Sequence, residues 1–402
     1  MYILTVSENI LTFICGFGIL QGILLAAFIY FHPKSDRSVN IFLALFIFAT
    51  TLIMSLPFLI KTIGWQHSTF IQPIPLLTGP LLCLYLRSFK EDITFRKAWP
   101  YFVPFILFFP LTYINIARFI SRFAYSVEVP KEILQDPTTI IIQYIKGAIM
   151  VVFYFLARKT LLNYRRCVQQ LYSETTSIDL RWANYLINGY LLLAIAFMAV
   201  FSIMVRLPGQ FDLLLLIIMA VATPYIYIAT YKGILQHTIW QQQPGTNKEA
   251  VQSQLEKVVE SGIKIRPSQK REGEPLAAAG SKLAELVVQI TDLMKKEKIY
   301  QEPELTLQQL ASRLNVPPYL VSQSLNDGMH KSFYDLVNGY RVEEAQKLLL
   351  DPKNKNFTIL SVGFEAGFNS KTTFNTVFKK FTGSTPTEYR DRQKAGAAMA
   401  EV

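Results

Sequence analysis

Residues 359–380 read Ile359-Leu-Ser-Val-Gly-Phe-Glu-Ala-Gly-Phe-Asn-Ser-Lys-Thr-Thr-Phe-Asn-Thr-Val-Phe-Lys-Lys380. Ile359, Val362 and Phe364 anchor a short apolar helix, Gly367-Phe368 makes a tight turn, and Ser370–Thr382 forms a second helix of small polar and basic residues. A short helix, a tight turn and a polar second helix is the arrangement that lays a reading helix in the DNA major groove.

The pattern occurs twice. Upstream, Thr306-Leu-Gln-Gln309 is a capping box that starts a helix with Leu307, Leu310, Ala311 and Leu314 inward. Asn315-Val316-Pro317 turns the chain, Pro318 suits a first helical position, and Tyr319–Asn326 forms the second helix. One such hairpin is weak evidence, since any helical pair imitates it. Here a long helix, Phe333–Leu350, joins two copies, and Gly383-Ser384-Thr385-Pro386 restarts a last helix through Tyr389 and Arg390.

These residues resemble the DNA-binding domain of the AraC/XylS family of bacterial transcription regulators. The resemblance rests on Tyr340-Arg341-Val342 with Ala345, Leu348 and Leu349; Gly367-Phe368-Asn-Ser; Phe374, Phe378, Lys379 and Lys380; and Gly383, Thr385, Pro386, Tyr389 and Arg390. It covers about Leu305–Arg392. It implies two reader helices set into successive major grooves on one DNA face, with RNA polymerase a candidate partner. Gly363 stands where the family usually has Ala, the first reader carries no Lys or Arg, and Thr376 sits where a basic residue is common.

Charge refines the reading. The net charge is +11, but residues 1–235 hold 18 Lys/Arg against 10 Asp/Glu, residues 236–280 hold 6 against 5, and residues 281–402 hold 16 against 14. Most of the excess therefore lies outside the reading domain. Within that domain Lys353–Lys394 carries 8 basic and 3 acidic residues, whereas Glu304–Lys331 balances to zero. Phosphate anchoring is expected from Lys379, Lys380 and Arg390, with Lys371 contributing. The candidate base contacts are Tyr319, Ser322, Gln323 and Asn326 in the first unit, and Ser370, Lys371, Thr372, Asn375 and Thr376 in the second. Phe374, Phe378 and Phe381 are expected in the core.

The first half has another character. Half of the chain is hydrophobic and only 17% is charged, below the roughly 25% of ordinary soluble chains. Seven apolar runs approach the roughly 20 residues that a bilayer span needs: about Ile10–Phe31, Asn40–Ile60, Phe70–Leu86, Tyr101–Ile116, Thr139–Leu156, Trp182–Met204 and Phe211–Tyr231. With the N-terminus outside, the inner loops hold 11 Lys/Arg and the outer loops 5. The positive-inside rule then places the C-terminal domain in the cytoplasm of a bacterial inner-membrane protein. Lys146, with Gln143 one turn earlier, stands inside the fifth run. It reads either as a ligand or partner contact, or as a side chain that snorkels to the outer surface or makes a structural pair.

The expected architecture is all-α. Residues 1–235 form a seven-helix transmembrane sensor bundle, 236–300 a connector of short helices and flexible segment, 301–394 the cytoplasmic double helix-turn-helix domain, and 395–402 a tail. In the connector, Ser281 is expected to cap a helix with an apolar stripe of Leu283, Leu286, Val287, Ile290, Leu293 and Met294. That stripe either packs on the following domain or makes a homodimer contact. The combination resembles membrane-bound AraC-type regulators of Bacteroidetes-like bacteria.

No phosphate loop, kinase-type His motif or nucleophile elbow occurs. The three cysteines and four histidines are scattered, so neither an enzyme, a metal site nor a cofactor is indicated. The expected function is a sequence-specific transcription regulator in the bilayer that couples an extracytoplasmic or intramembrane signal, of unknown ligand, to promoter DNA. Two alternatives stand beside it: a membrane-tethered regulator released by proteolysis, and a receptor or transporter whose last domain binds protein.

Overall fold

The computed structural model describes residues 2–31, 37–120, 122–123, 129–176, 178–207, 222–233, 276–354 and 356–392. The described residues are helical, with one isolated antiparallel bridge between Tyr172 and Thr306 and no strand among them. They divide into two compact units. The first comprises Met1–Tyr164 and Leu180–Gln252; the second comprises Arg165–Asp179 and Ser253–Val402.

In the first unit the main helices are α1 (Tyr2–Phe31), α2 (Arg37–Met54), α3 (Leu56–Ile63), α4 (Pro75–Arg87), α5 (Val103–Ile120), α6 (Pro137–Leu171) and α7 (Ala183–Arg206). Four helical stretches are long and apolar enough to cross a membrane: Trp65–Arg87, Phe95–Ile120, Pro137–Leu171 and Ala183–Arg206. Two shorter apolar stretches, Gly16–Phe31 and Ser38–Met54, overlap the first two expected runs but fall short of a span among the described residues, and the second run is broken at Ser55 between α2 and α3, so four spans rather than seven are seen there. The seventh run, Phe211–Tyr231, falls largely outside the described residues, although residues 222–233 are helical.

Small residues let these helices approach. A Cβ on Gly79 would lie 2.6 Å from the Phe153 side chain, so α4 and α6 meet where Gly79 offers no side chain. Large apolar side chains meanwhile point outward. Phe17, Leu24, Leu107, Ile114, Phe155 and Leu192 are all more than half exposed. Such a surface would be a liability in water and is ordinary against lipid.

The second unit holds α8 (Leu276–Asp292), α9 (Leu307–Arg313), α10 (Pro318–Gln323), α11 (Phe333–Leu350), α12 (Ile359–Glu365) and α13 (Lys371–Thr382), then a last helix over 386–392. Side-chain hydroxyls cap four of them. Thr306 forms the reciprocal capping box with Gln309, and Ser332, Thr358 and Ser370 accept the Asp335, Ser361 and Thr373 amides.

The second unit departs from expectation in its connector helix. It begins at Leu276, so Ser281 lies inside α8 rather than at its cap. It ends in a wide turn over Leu293–Glu297 and reverses at Lys298, a left-handed residue with φ +50°. The α8 stripe is used within the unit. Leu286, Ile290 and Met294 are buried, and Val287 sits so close to Gly328 that a Cβ there would lie 2.8 Å from its Cγ2. The stripe therefore packs on the following domain rather than remaining open for a second copy.

Candidate DNA-reading surface

The two hairpins share one geometry. In the first, the Val316 amide donates to the Ala311 carbonyl at 3.1 Å. In the second, Phe368 donates to Gly363 at 2.9 Å. Each turn is made by a residue of positive φ, Asn315 at +54° and Gly367 at +93°. Asn tolerates that region better than most side-chain-bearing residues, and Gly does so freely.

Gly367 is required for a second reason. A Cβ there would lie 2.6 Å from Gln301 Cα and 2.7 Å from the Tyr300 carbonyl oxygen, which is backbone and cannot swing away. Gly363 also gains a packing explanation. A Cβ would lie 2.7 Å from Phe374 Cδ1, so the ring occupies the space that a family Ala would fill.

The reader α13 is held by aromatic packing. Phe374 and Phe378 are fully buried with Phe368, Val362, Ala366, Val377 and, on α11, Val342, Ala345 and Leu349. Ring centroids are 5.0 Å apart for Phe368–Phe374 and 5.6 Å for Phe374–Phe378. Phe381 departs from expectation. It is 40% exposed, and its ring lies beneath the Lys380 ammonium at 5.5 Å, because it falls past the buried stripe in the last turn of α13.

The expected contact residues divide by exposure. Tyr319 and Gln323 are exposed on the first reader and Asn326 is half-buried. Ser322 is buried, with the Asn326 amide 3.5 Å from its hydroxyl. On α13, Lys371, Thr372, Thr376 and Lys379 are exposed and Asn375 is half-buried, so one solvent-facing stripe carries both polar and cationic groups. The Ser370 hydroxyl is engaged as the α13 cap, accepting from the Thr373 amide at 3.1 Å. Lys380 pairs with Asp335 at 2.8 Å over the Tyr334 ring. Both partners are substantially exposed, so the pair is worth at most about 1 kcal/mol and a phosphate can compete for the ammonium. Arg390 Nη1 donates to the Phe357 carbonyl at 3.2 Å.

Sequence reasoning placed Arg341 only within a motif, but it is the hub of the domain. It is fully buried on α11. Its Nε donates to the Tyr300 carbonyl at 2.7 Å, and its Nη2 donates to Glu302 at 2.6 Å and Pro303 at 3.2 Å. Nη1 reaches Asn338 Oδ1 at 3.4 Å, and the guanidinium lies 5.8 Å from the Phe368 ring centroid. Burial lowers its pKa to about 10, opposed by the negative charge of Glu174, so it stays a cation near neutral pH. A charged residue on an otherwise inward face, beside Val337, Val342 and Ala345, was the available signal.

A neighbouring network joins Lys298 to Glu344 at 2.8 Å and Tyr300 to Glu344 at 3.3 Å, with Tyr300 stacked on Tyr340. Burial pushes the Glu344 carboxyl up, but the Lys298 bond and charge, with Lys347 and Tyr300, outweigh it and hold the pKa below the usual value.

In the first unit, Lys146 is buried and donates to the Gln72 carbonyl at 3.1 Å rather than reaching a surface. Gln143 Nε2 donates to Gln72 Oε1 at 3.2 Å, and Gln143 Oε1 is buried without a partner. Nearby, Thr139 on α6 accepts from Asn115 at 2.7 Å, and Asp136, just before α6, pairs with Arg118 at 3.2 Å. Among the described residues no His, Cys, Asp and Glu cluster has the makings of a metal site.

Fold and surface define the C-terminal part as a double helix-turn-helix domain. Residues 310–392 match the family described as "Helix-turn-helix domain". The same region is similar to the HTH-type transcriptional regulator GadX, 32% identical over 93 residues for the Escherichia coli O157:H7 protein and 33% over 89 residues for that of strain K12. The Shigella flexneri protein matches likewise, at 32% over 93 residues. These alignments cover 23%, 22% and 23% of this chain, and the chain spans about a third of the length of each relative. No solved structure matches the chain.

Proposed function

We propose that this chain is a membrane-embedded, sequence-specific DNA-binding transcription regulator of AraC type, and not an enzyme, which couples an extracytoplasmic or intramembrane signal to promoter binding. One observation carries the reading: two hairpins with the same turn geometry are set on one buried frame, in the region that matches known helix-turn-helix regulators. The partner is double-stranded promoter DNA. Tyr319 and Gln323 read bases from the first hairpin, and Lys371, Thr372, Asn375 and Thr376 from the second. Lys379, Lys380 and Arg390 anchor phosphates.

Long apolar helices with outward-facing Phe, Leu and Ile support a lipid bilayer as surroundings, and the loop charges support an N-terminus outside and a C-terminus in the cytoplasm. Gln143 and Lys146 are the proposed signal-reading groups, because they leave a buried lysine nitrogen and an unpartnered amide oxygen inside that half. Release by proteolysis is disfavoured: Arg165–Asp179 belongs to the second unit, so a C-terminal fragment would leave part of its own domain behind.

The test is binding by the full chain in lipid nanodiscs. Affinity for a promoter fragment recovered from cells should exceed that for random DNA of equal length and fall steeply with salt. Equal affinity for the two overturns the reading.

A further inference from the structure

Helix α6 runs unbroken from Pro137 to Leu171. Its residues to Tyr164 belong to the first unit, and its last residues and the loop that follows belong to the second. That loop is seated in the reading domain. Tyr172 pairs with Thr306, the cap residue of the first hairpin, in an antiparallel bridge. The Ser173 amide and hydroxyl both donate to the Leu305 carbonyl, at 3.3 and 2.6 Å. The Ser173 carbonyl accepts from Asn338 Nδ2 at 2.9 Å, and its hydroxyl lies 3.4 Å from Arg341 Nη2. Thr176 Oγ1 lies 2.7 Å from Oγ1 of Thr373, inside the second reader helix. Thr373 in turn accepts from Ser370, the cap of that helix. Arg165 donates to the Asp179 carbonyl at 2.8 Å and closes the base of the loop.

We infer that Tyr172–Thr176 is an internal strap of the DNA-binding domain, which fixes the placement of the two reader helices relative to each other and hands that placement to the end of helix α6. In five residues it touches the cap of the first hairpin, the joining helix α11 and the second reader. Two readers bind two successive grooves as one ligand only if their spacing is held. Loosening the strap lowers the effective concentration of one reader once the other is bound. The loss falls on promoter sites that engage both readers, while phosphate-driven binding to random DNA is untouched. A shift at the end of α6 thus becomes a change in promoter affinity. The inference rests on the regulator reading above.

The test uses the full chain in nanodiscs, with Ser173→Ala and Thr176→Val combined, Thr176→Ser as the conservative variant, and amide hydrogen exchange read over residues 305–309 and 371–376. The double variant should bind the promoter fragment about 5- to 10-fold more weakly, as expected for two or three lost hydrogen bonds, with random-DNA affinity unchanged. Exchange should quicken in both windows, and Thr176→Ser should behave as the unaltered chain. If the double variant keeps both promoter affinity and exchange rates, the strap is refuted while the regulator reading stands. An unaltered chain without promoter preference refutes that reading, and the inference with it.

Discussion

Arg341→Ala should loosen the reading domain more than any surface change. The guanidinium makes two short bonds, to the Tyr300 and Glu302 carbonyls, from full burial. A hydrogen bond from a charged donor contributes about 1.5–3 kcal/mol, and the orphaned carbonyls keep their desolvation cost. Relief from burying the charge offsets part of this, and the cavity adds to it. A net loss of about 3–5 kcal/mol follows, as for other broken buried charge networks. Domains are stable by only about 5–15 kcal/mol, so the variant sits near the edge of folding. The assay is amide hydrogen exchange along α11 and α12 in the full chain, where each 1.4 kcal/mol is about tenfold in rate. Core amides should exchange at least about a hundredfold faster. Arg341→Lys, which keeps the charge but not the forked donors, should fall between. Acceleration below about tenfold in Arg341→Ala would refute the claim that this side chain ties Tyr300–Pro303 to the joining helix.

Gly367→Ala should cost at least about 2 kcal/mol in the same exchange assay, since it combines a positive φ with a Cβ pressed on Gln301 backbone; unchanged exchange over 359–370 would contradict the turn geometry. Asn375→Ala should relax the preference at one or two base positions by about 1–3 kcal/mol, whereas Lys379→Ala should weaken all DNA alike and lower the salt slope by about one unit; competition binding on a mutated promoter panel separates the two outcomes. Glu344 has a folded pKa below its unfolded value, so its contribution is present above the ordinary carboxylate range and fades as pH falls through the folded value. Stability of the domain should therefore drop on acidification, by less than about 1 kcal/mol from this half-screened pair, and Glu344→Gln should flatten that part of the profile.

The second unit was legible because its signals are local. Thr306, Gln309 and Ser370 announce helix starts, Gly367 and Gly383 announce reversals, and the Phe374–Phe378 spacing announces a buried stripe. Ser281 misled because a hydroxyl inside a helix looks like a cap when the upstream Leu276–Gly280 also favours helix. Phe381 misled because the apolar spacing runs on for one turn after the packing stops. The Ser322 burial and the Lys380–Asp335 pair depend on neighbours far along the chain, which periodicity does not report. The same holds for the strap. Tyr172 and Ser173 are ordinary loop residues until Leu305 and Asn338 are placed beside them. In the first half, hydropathy located the long apolar helices, but the contact of Lys146 with Gln72 needed the packed bundle.

The most direct test of the central claim is genome-wide mapping of the DNA bound by the intact chain in cells, with the chain recovered from the membrane fraction. The account predicts discrete promoter peaks from membrane-associated, full-length protein, reduced when Lys371, Asn375 and Lys379 are changed together to Ala. Uniform background, or peaks carried only by a soluble fragment, would contradict it.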